Sequence, residues 1–100
     1  MDILGIQKAV RESAIFFTDH AVRQMAKRNI DDLEACEAIL SGEMIEEYPD
    51  DKYSPSCLVY GRTLKERHLH VVCSLPRRVR IVTVYDPDPD EWTDYRRRKS

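Results

Sequence analysis

The sequence predicts one α+β domain, in which two or three helices are followed by a four-stranded antiparallel sheet. Apolar residues recur at helical spacing up to residue 40 and then alternate at strand spacing from Glu43 to Tyr85. The links between the later apolar segments are short, which favours antiparallel hairpins. With 100 residues, 42% hydrophobic and 34% charged, the chain is large enough to form a core without disulfides or metals.

The first two helices have recognisable ends. Apolar side chains recur at helical spacing in residues 2–14. Asp2 precedes them and can accept hydrogen bonds from the first free amides of the helix. The apolar segment Ala14–Phe17 leads into Thr18, the predicted N-cap of the second helix. Asn29 tolerates the left-handed conformation that ends many helices, so the second helix is expected to end there.

A third helix is predicted from Asp31, because Asp31 and Glu34 have the spacing of a capping box. Gly42 stands where glycine commonly follows a helix. The expected buried stripe of this helix consists of Leu33, Cys36, Ile39 and Leu40.

Four later segments have the composition of strands, namely Met44–Tyr48, Cys57–Leu64, His68–Leu75 and Val79–Tyr85. They are separated by a loop at Pro49–Pro55 and by polar links at Lys65–Arg67 and Pro76–Arg78. Pro87 and Pro89 end the sheet because proline cannot donate to a ladder. The domain is expected to comprise residues 1–95, and residues 96–100 are expected to form a basic tail.

The net charge of −2 conceals an asymmetry, since residues 1–50 carry 5 Lys/Arg and 11 Asp/Glu whereas residues 51–100 carry 11 and 7. The second half can contact phosphate, but a pI of 5.9 is not typical of a dedicated nucleic-acid binder. The start of the chain does not resemble a signal peptide, and no apolar segment reaches the roughly 20 residues of a membrane span. We therefore expect a cytoplasmic protein without membrane association. Cys36, Cys57 and Cys73 form no Cys-x-x-Cys pair and are expected to be buried thiols.

The segment His68–Leu75 alternates, so that His68 and His70 share one face of the predicted sheet. Together with Tyr60 and Arg62 on one neighbouring strand and Thr83 or Tyr85 on the other, they would supply acid, base and cationic groups suited to phosphodiester chemistry. A structural role is the alternative, because such side chains also pack beneath another element or only face water. A His-x-His pair can also bind a metal, although no clear third ligand is present.

Cationic and aromatic residues outside the sheet are further candidates. His20 opens the second helix and can contact a substrate anion, with Arg23 one turn later, or it can simply cap or pack. Arg28 can act on phosphate or only on the helix dipole. Trp92 is expected to pin the C-terminal segment rather than to stack on a base, and the run Arg96–Lys99 is either a solvated tail or an RNA contact.

Four blocks keep the order and spacing of a known family: Phe17-Thr18-x-His20-Ala21-x-x-x-Met25-x-x-Arg28-x-Ile30, Gly42-x-x-Ile45-x-x-Tyr48, Leu69-His70-Val71-Val72 and Ile81-Val82-Thr83-Val84-Tyr85-x-Pro87-Asp88-x-x-x-Trp92. Through these blocks the chain resembles, over about residues 15–95, the bacterial family called domain of unknown function 4258. Asn29 stands where glycine is expected in many relatives, and Gln24 where some have arginine.

That family is similar to distant members of the RelE/ParE toxin superfamily. The resemblance implies a RelE-like fold whose sheet surface cleaves messenger RNA, usually on the ribosome, without a metal or other cofactor. It also implies a zinc-finger antitoxin as the protein partner. The candidate catalytic residues are His70 as base or acid, His20 as a phosphate contact and Tyr85 as proton donor or stacking group. The candidate substrate-binding residues are Arg28, Arg23 and Arg62.

This hypothesis requires His20 and His70 to meet at one exposed hollow. The alternative is a non-catalytic domain of the same fold that binds a protein partner through its sheet edge and basic tail. A metal enzyme built on His68 and His70 is a third hypothesis.

Overall fold

The computed structural model describes residues 2–52, 54–75 and 78–100. It confirms the α+β class, with three helices and a mostly antiparallel five-stranded sheet. The helices are α1 (Ile3–Arg11), α2 (Asp19–Arg28) and α3 (Asp32–Leu40). The strands of the sheet are β1 (Ile15–Phe17), β2 (Glu43–Tyr48), β3 (Ser56–Arg62), β4 (His68–Ser74) and β5 (Val79–Tyr85). A two-stranded hairpin follows, formed by β6 (Trp92–Thr93) and β7 (Arg97–Arg98). Tyr53 in the predicted loop, and Pro76 and Arg77 in the predicted link between β4 and β5, lie outside the described residues.

The helices begin where their capping residues predict, and α2 also ends where Asn29 predicts, whereas α1 ends at Arg11, before the end of the predicted stretch of residues 2–14. Asp2, Thr18 and Asp31 each accept a hydrogen bond from an amide in the first turn of their helix, and Glu34 completes the capping box. Asn29 ends α2 in the left-handed conformation with φ 56°. Local side-chain chemistry therefore sets the bounds of the helical half.

The sheet has the strand order β1-β5-β4-β3-β2, in which β1 is parallel to β5 and the other neighbours are antiparallel. The prediction of four strands missed β1, because a three-residue strand is too short to show an alternating pattern. Its parallel partner is also distant in sequence, so no hairpin signal marks the pairing.

The three helices cover one face of the sheet and form the core there. The predicted stripe of α3 was partly wrong, since Leu33 is 64% exposed and Leu40 is 42% exposed. The buried residues of α3 are instead Ala35, Ala38 and Ile39, whose small alanines let the helix lie close to β3. Among the cysteines, Cys57 and Cys73 are buried as expected, whereas Cys36 is only partly buried.

Two glycines are needed for that close approach. A Cβ at Gly61 would lie 1.7 Å from the carbonyl oxygen of Ala38, and a Cβ at Gly42 would lie 2.5 Å from the same oxygen. Neither glycine has a positive φ. Gly42 therefore follows α3 as predicted. Glycine is required there because a side chain would collide with the Ala38 carbonyl oxygen, and not because the backbone is left-handed.

The hairpin of β6 and β7 covers part of the opposite face of the sheet. Arg96 binds Glu43 at 2.7 Å and Arg98 binds Glu46 at 2.9 Å, both on the edge strand β2. Residues 96–98, which were expected to belong to a basic tail, are therefore folded onto the domain. None of the described helices combines the length and apolar character needed to cross a membrane.

Candidate functional site

The face of the sheet opposite the helices carries a row of aromatic and titratable side chains. Tyr60 on β3 lies directly across from His70 on β4, and His70 lies across from Tyr85 on β5. His68 lies across from Arg62 in the same ladder. The strand registers thus bring together on one face the five residues that the alternation grouped there.

His70 is fully buried at 0% exposure, and both of its ring nitrogens have partners. Nε2 lies 2.6 Å from the carbonyl oxygen of Tyr95. Because a carbonyl can only accept, Nε2 carries the proton, and Nδ1 of the neutral ring accepts from the Tyr85 hydroxyl at 3.1 Å. Burial lowers the pKa of His70 and so favours the neutral ring at neutral pH. In this arrangement His70 cannot exchange a proton with a substrate.

The role of His70 is to hold the turn between β6 and β7. The Trp92 ring packs edge-on against the His70 ring, with centroids 4.5 Å apart. Asp94 and Tyr95 have φ values of 54° and 62°, in a turn closed by a 3.1 Å hydrogen bond from the Arg96 amide to the Thr93 carbonyl. Each non-glycine residue in this conformation costs about 1–2 kcal/mol. The hydrogen bond from His70 to the Tyr95 carbonyl helps to offset that strain.

This strained turn places the Tyr95 ring over His68. The two rings are stacked with centroids 3.8 Å apart, and Nδ1 of His68 lies 2.8 Å from the Tyr60 hydroxyl oxygen. An open pocket of about 380 Å³ surrounds the stack, with Arg62 and Arg96 among its walls. We call this the His68 pocket, defined by Tyr60, Arg62, His68, Tyr95 and Arg96.

The protonation states in the His68 pocket differ from those of free side chains. Burial, followed by the nearby charge of Arg62, lowers the pKa of His68. Burial raises the pKa of Tyr60. At neutral pH the pocket therefore pairs a neutral imidazole, which can act as a base, with a protonated phenol, which can act as an acid.

Both arginines of the pocket already have acidic partners. Arg96 lies over the Tyr60 ring at 4.8 Å and binds Glu43 at 2.7 Å and Asp94 at 3.0 Å. Arg62 lies 3.8 Å from Glu66, and both side chains are more than half exposed. Such exposed pairs are weak and can be exchanged for a phosphate.

The candidates on α2 lie apart from this site. His20 and Arg23 are exposed on α2, which packs its buried Ala21 and Met25 into the core on the other face of the sheet. The expected hollow shared by His20 and His70 is therefore wrong, because His70 has no surface that an exposed group could share. Arg28 donates to the Val84 carbonyl at 2.7 Å and to the Thr83 hydroxyl at 3.4 Å, so it ties α2 to β5.

Sequence reasoning ranked His68 below His70, missed Tyr95 as a site residue, and considered Arg96 only as part of a terminal basic run that could contact RNA. The alternation of β4 indicated the shared face, but not which histidine would be covered. The turn at Asp94-Tyr95 lacks the glycine that usually marks such hairpins, so the segment gave no turn signal. Within the described residues, no group of three or more His, Cys, Asp or Glu side chains is arranged to hold a metal ion.

The model of one family, described as Domain of unknown function (DUF4258), matches residues 17–86. The chain belongs to this family. The DUF4258 match begins at the end of β1 and ends just after β5, so it includes the central strands that carry Tyr60, His68 and His70 but not Tyr95 or Arg96. No curated protein and no solved structure matches the chain.

Proposed function

We propose that this protein is a RelE-like, metal-independent endoribonuclease that acts on messenger RNA at the His68 pocket, which replaces the hollow expected between His20 and His70. The supporting observation is the 2.8 Å contact between Nδ1 of His68 and the Tyr60 hydroxyl oxygen, in an open pocket flanked by two arginines. The lowered pKa of His68 and the raised pKa of Tyr60 favour a neutral imidazole beside a protonated phenol. As the resemblance to RelE-like toxins implies, the proposed site of action is the ribosome in the cytoplasm. A zinc-finger antitoxin would be the neutralising partner of such a toxin.

The reaction needs a base for the 2′-hydroxyl, an acid for the leaving oxygen and cations at the phosphate. In the proposed step, Nε2 of His68 takes the 2′-hydroxyl proton as that oxygen attacks the adjacent phosphorus. The Tyr60 hydroxyl gives its proton to the departing 5′-oxygen, which leaves a 2′,3′-cyclic phosphate and a 5′-hydroxyl. Arg62 and Arg96 exchange their carboxylate partners for the phosphate oxygens.

The contact between His68 and Tyr60 also neutralises both groups after the step. During the step Nδ1–H of His68 donates to the Tyr60 oxygen, so the phenol proton remains free for the substrate. After the step an imidazolium faces a phenolate across the same hydrogen bond. Transfer of the Nδ1 proton to the phenolate returns both groups to neutrality without any cofactor, with the imidazole proton now on Nε2. Proton exchange with water in the open pocket, by loss from Nε2 and gain at Nδ1, then restores the starting tautomer.

The experiment is cleavage of a defined messenger RNA by the purified protein, with and without translating ribosomes, and with cut sites mapped by primer extension. We expect His68→Ala and Tyr60→Phe each to lower the cleavage rate by about 10²–10⁴-fold, the usual worth of general acid–base catalysis. His20→Ala is the matched control and should keep the wild-type rate, because His20 is exposed on α2. Unchanged cleavage by His68→Ala, or no cleavage by the wild type in either condition, would reject the proposal.

One observation favours the alternative of a non-catalytic binding domain: both arginines of the His68 pocket are already paired with acidic groups. In that case the pocket keeps its ion pairs and the domain acts only through association with a protein partner. Wild-type protein that neither cleaves RNA nor cosediments with ribosomes would support this second function.

A further inference from the structure

A second open surface lies at the corner where α2 meets α3, on the helical side of the domain. Two hollows of about 520 Å³ and 410 Å³ adjoin here and share Met25, Ala26, Ile30 and Asp31 in their walls. We call this surface the corner groove, defined by those four residues together with Val22, Leu33 and Leu64. It has no wall residue in common with the His68 pocket.

The corner groove exposes large apolar side chains that the domain itself does not cover. Val22 is 54% exposed, Leu33 is 64% exposed and Leu64 is 85% exposed. Single exposed apolar residues are common, but apolar residues gathered around one concave surface are typical of a binding site.

Leu64 is held in its exposed position by an ordered turn. Its amide donates to the Glu37 carboxylate on α3 at 3.0 Å. The same turn is closed by a 2.9 Å hydrogen bond from the Thr63 amide to the Arg67 carbonyl and a 3.0 Å hydrogen bond from the Arg67 amide to the Thr63 hydroxyl. The leucine side chain is therefore presented to solvent beside α3 by fixed backbone contacts.

The rim of the corner groove is acidic. Carboxylates from the start and middle of α3 border it, namely Asp31, Asp32, Glu34 and Glu37. Arg67 also lines the groove, but its guanidinium is turned to Asp86, Glu34 and the carbonyls at the end of α2. The other lining cation is Lys65. A complementary partner therefore combines apolar side chains with positive charge.

The walls also favour a helical partner over an extended one. Ala26 and Leu33 belong to α2 and α3, whose backbone groups are bonded within the helices, so these walls offer no free sheet edge for an added strand. We propose that the corner groove docks a positively charged amphipathic helix of a partner protein, with the apolar face of that helix on Val22, Leu33 and Leu64. This inference does not depend on RNA cleavage.

The probe is a synthetic helical peptide of about 18 residues, long enough to fold in part by itself, with leucines along one face and lysines elsewhere. A scrambled peptide of the same composition controls for charge alone. Binding to the full-length protein is measured by fluorescence anisotropy of the labelled peptide. We expect the amphipathic peptide to bind, and Leu33→Ser and Leu64→Ser each to weaken it about tenfold or more, because a buried leucine is worth at least that factor.

Leu4→Ser is the matched control, since Leu4 is equally exposed at 64% but lies on α1 outside the corner groove. It should leave the affinity unchanged, and circular dichroism should show that all three variants remain folded. Equal binding of the scrambled peptide, equal weakening by Leu4→Ser, or no binding at all would overturn the proposal. So would a dimer in sedimentation that Leu33→Ser abolishes, because the occupant would then be a second copy of this chain.

Discussion

Replacement of Gly61 by alanine should destabilise the domain more than alanine at either of its other glycines. The added Cβ would lie 1.7 Å from the Ala38 carbonyl oxygen and 2.6 Å from its carbonyl carbon, and both are backbone atoms of α3. Nonbonded atoms prefer about 3.5 Å, so α3 and β3 must separate by more than about 1 Å, and a gap of that size forfeits about half or more of their dispersion energy. Because Ala35, Ala38 and Ile39 are all fully buried at this contact, we expect a loss of about 3 kcal/mol or more.

The assay is urea unfolding followed by circular dichroism and by the fluorescence of Trp92. A loss of that size lowers the urea midpoint by about 1–3 M, since a domain of this size has a slope of about 1–3 kcal/mol per molar urea. It also removes a large part of the roughly 5–15 kcal/mol by which such domains are stable. Alanine variants of Gly42 and Gly5 serve as comparisons in the same assay.

Gly42→Ala should destabilise less than Gly61→Ala, because its Cβ would lie 2.5 Å from the nearest atom. Gly5→Ala should stabilise by about 0.5–1 kcal/mol, since alanine is the better helix former and no atom lies within 4 Å of the new Cβ. A Gly61→Ala protein within 1 kcal/mol of the wild type, or a different order of the three variants, would refute the close approach of α3 to β3.

Three further predictions concern the polar contacts. Folding lowers the pKa of buried His70, so the unfolded chain binds the imidazole proton more tightly than the folded chain does. The unfolding free energy should therefore fall as the pH drops below about 6.5. His70→Phe should make the unfolding free energy depend less on pH, which urea titrations at several pH values would measure. Arg67→Met should lower the unfolding free energy by about 1–3 kcal/mol in the same assay, because Arg67 joins Asp86 to two carbonyls at the end of α2. Asp94→Gly should raise the melting temperature, because glycine adopts the left-handed conformation of residue 94 without strain. Tyr95→Gly should lower the melting temperature, because it removes the ring stacked on His68. Equal melting temperatures for these two variants would contradict a stabilising role of the stacking.

The helical half could be predicted because its signals are local. Asp2, Thr18, Asp31 and Asn29 act within a few residues of themselves, and each has the predicted role in the structure. Burial depends on tertiary packing and was less predictable. Leu33 fits the periodicity of a core residue, yet alanines of α3 face the sheet because the backbone of Gly61 admits only a small side chain there.

The strand β1 and the hairpin of β6 and β7 could not be predicted for a different reason. Their strands are two or three residues long, so neither periodicity nor composition distinguishes them from loops. The hairpin turn uses Asp94 and Tyr95 at positive φ, where sequence reasoning looks for asparagine and glycine.

The hairpin also explains why two histidines on one face have different roles. The Tyr95 carbonyl and the Trp92 ring enclose His70, while the Tyr95 ring stacks on His68 and leaves its pocket open. Tyr95 has a left-handed backbone conformation that is costly for tyrosine and that glycine would adopt freely. Unlike glycine, however, tyrosine provides the ring that stacks on His68. Strain of this kind persists only where the surrounding contacts hold it, and here His70 supplies the contact to the Tyr95 backbone, beside the ion pair of Arg96 with Glu43. The buried His70 is thus best understood as a positioning residue for the partly exposed His68.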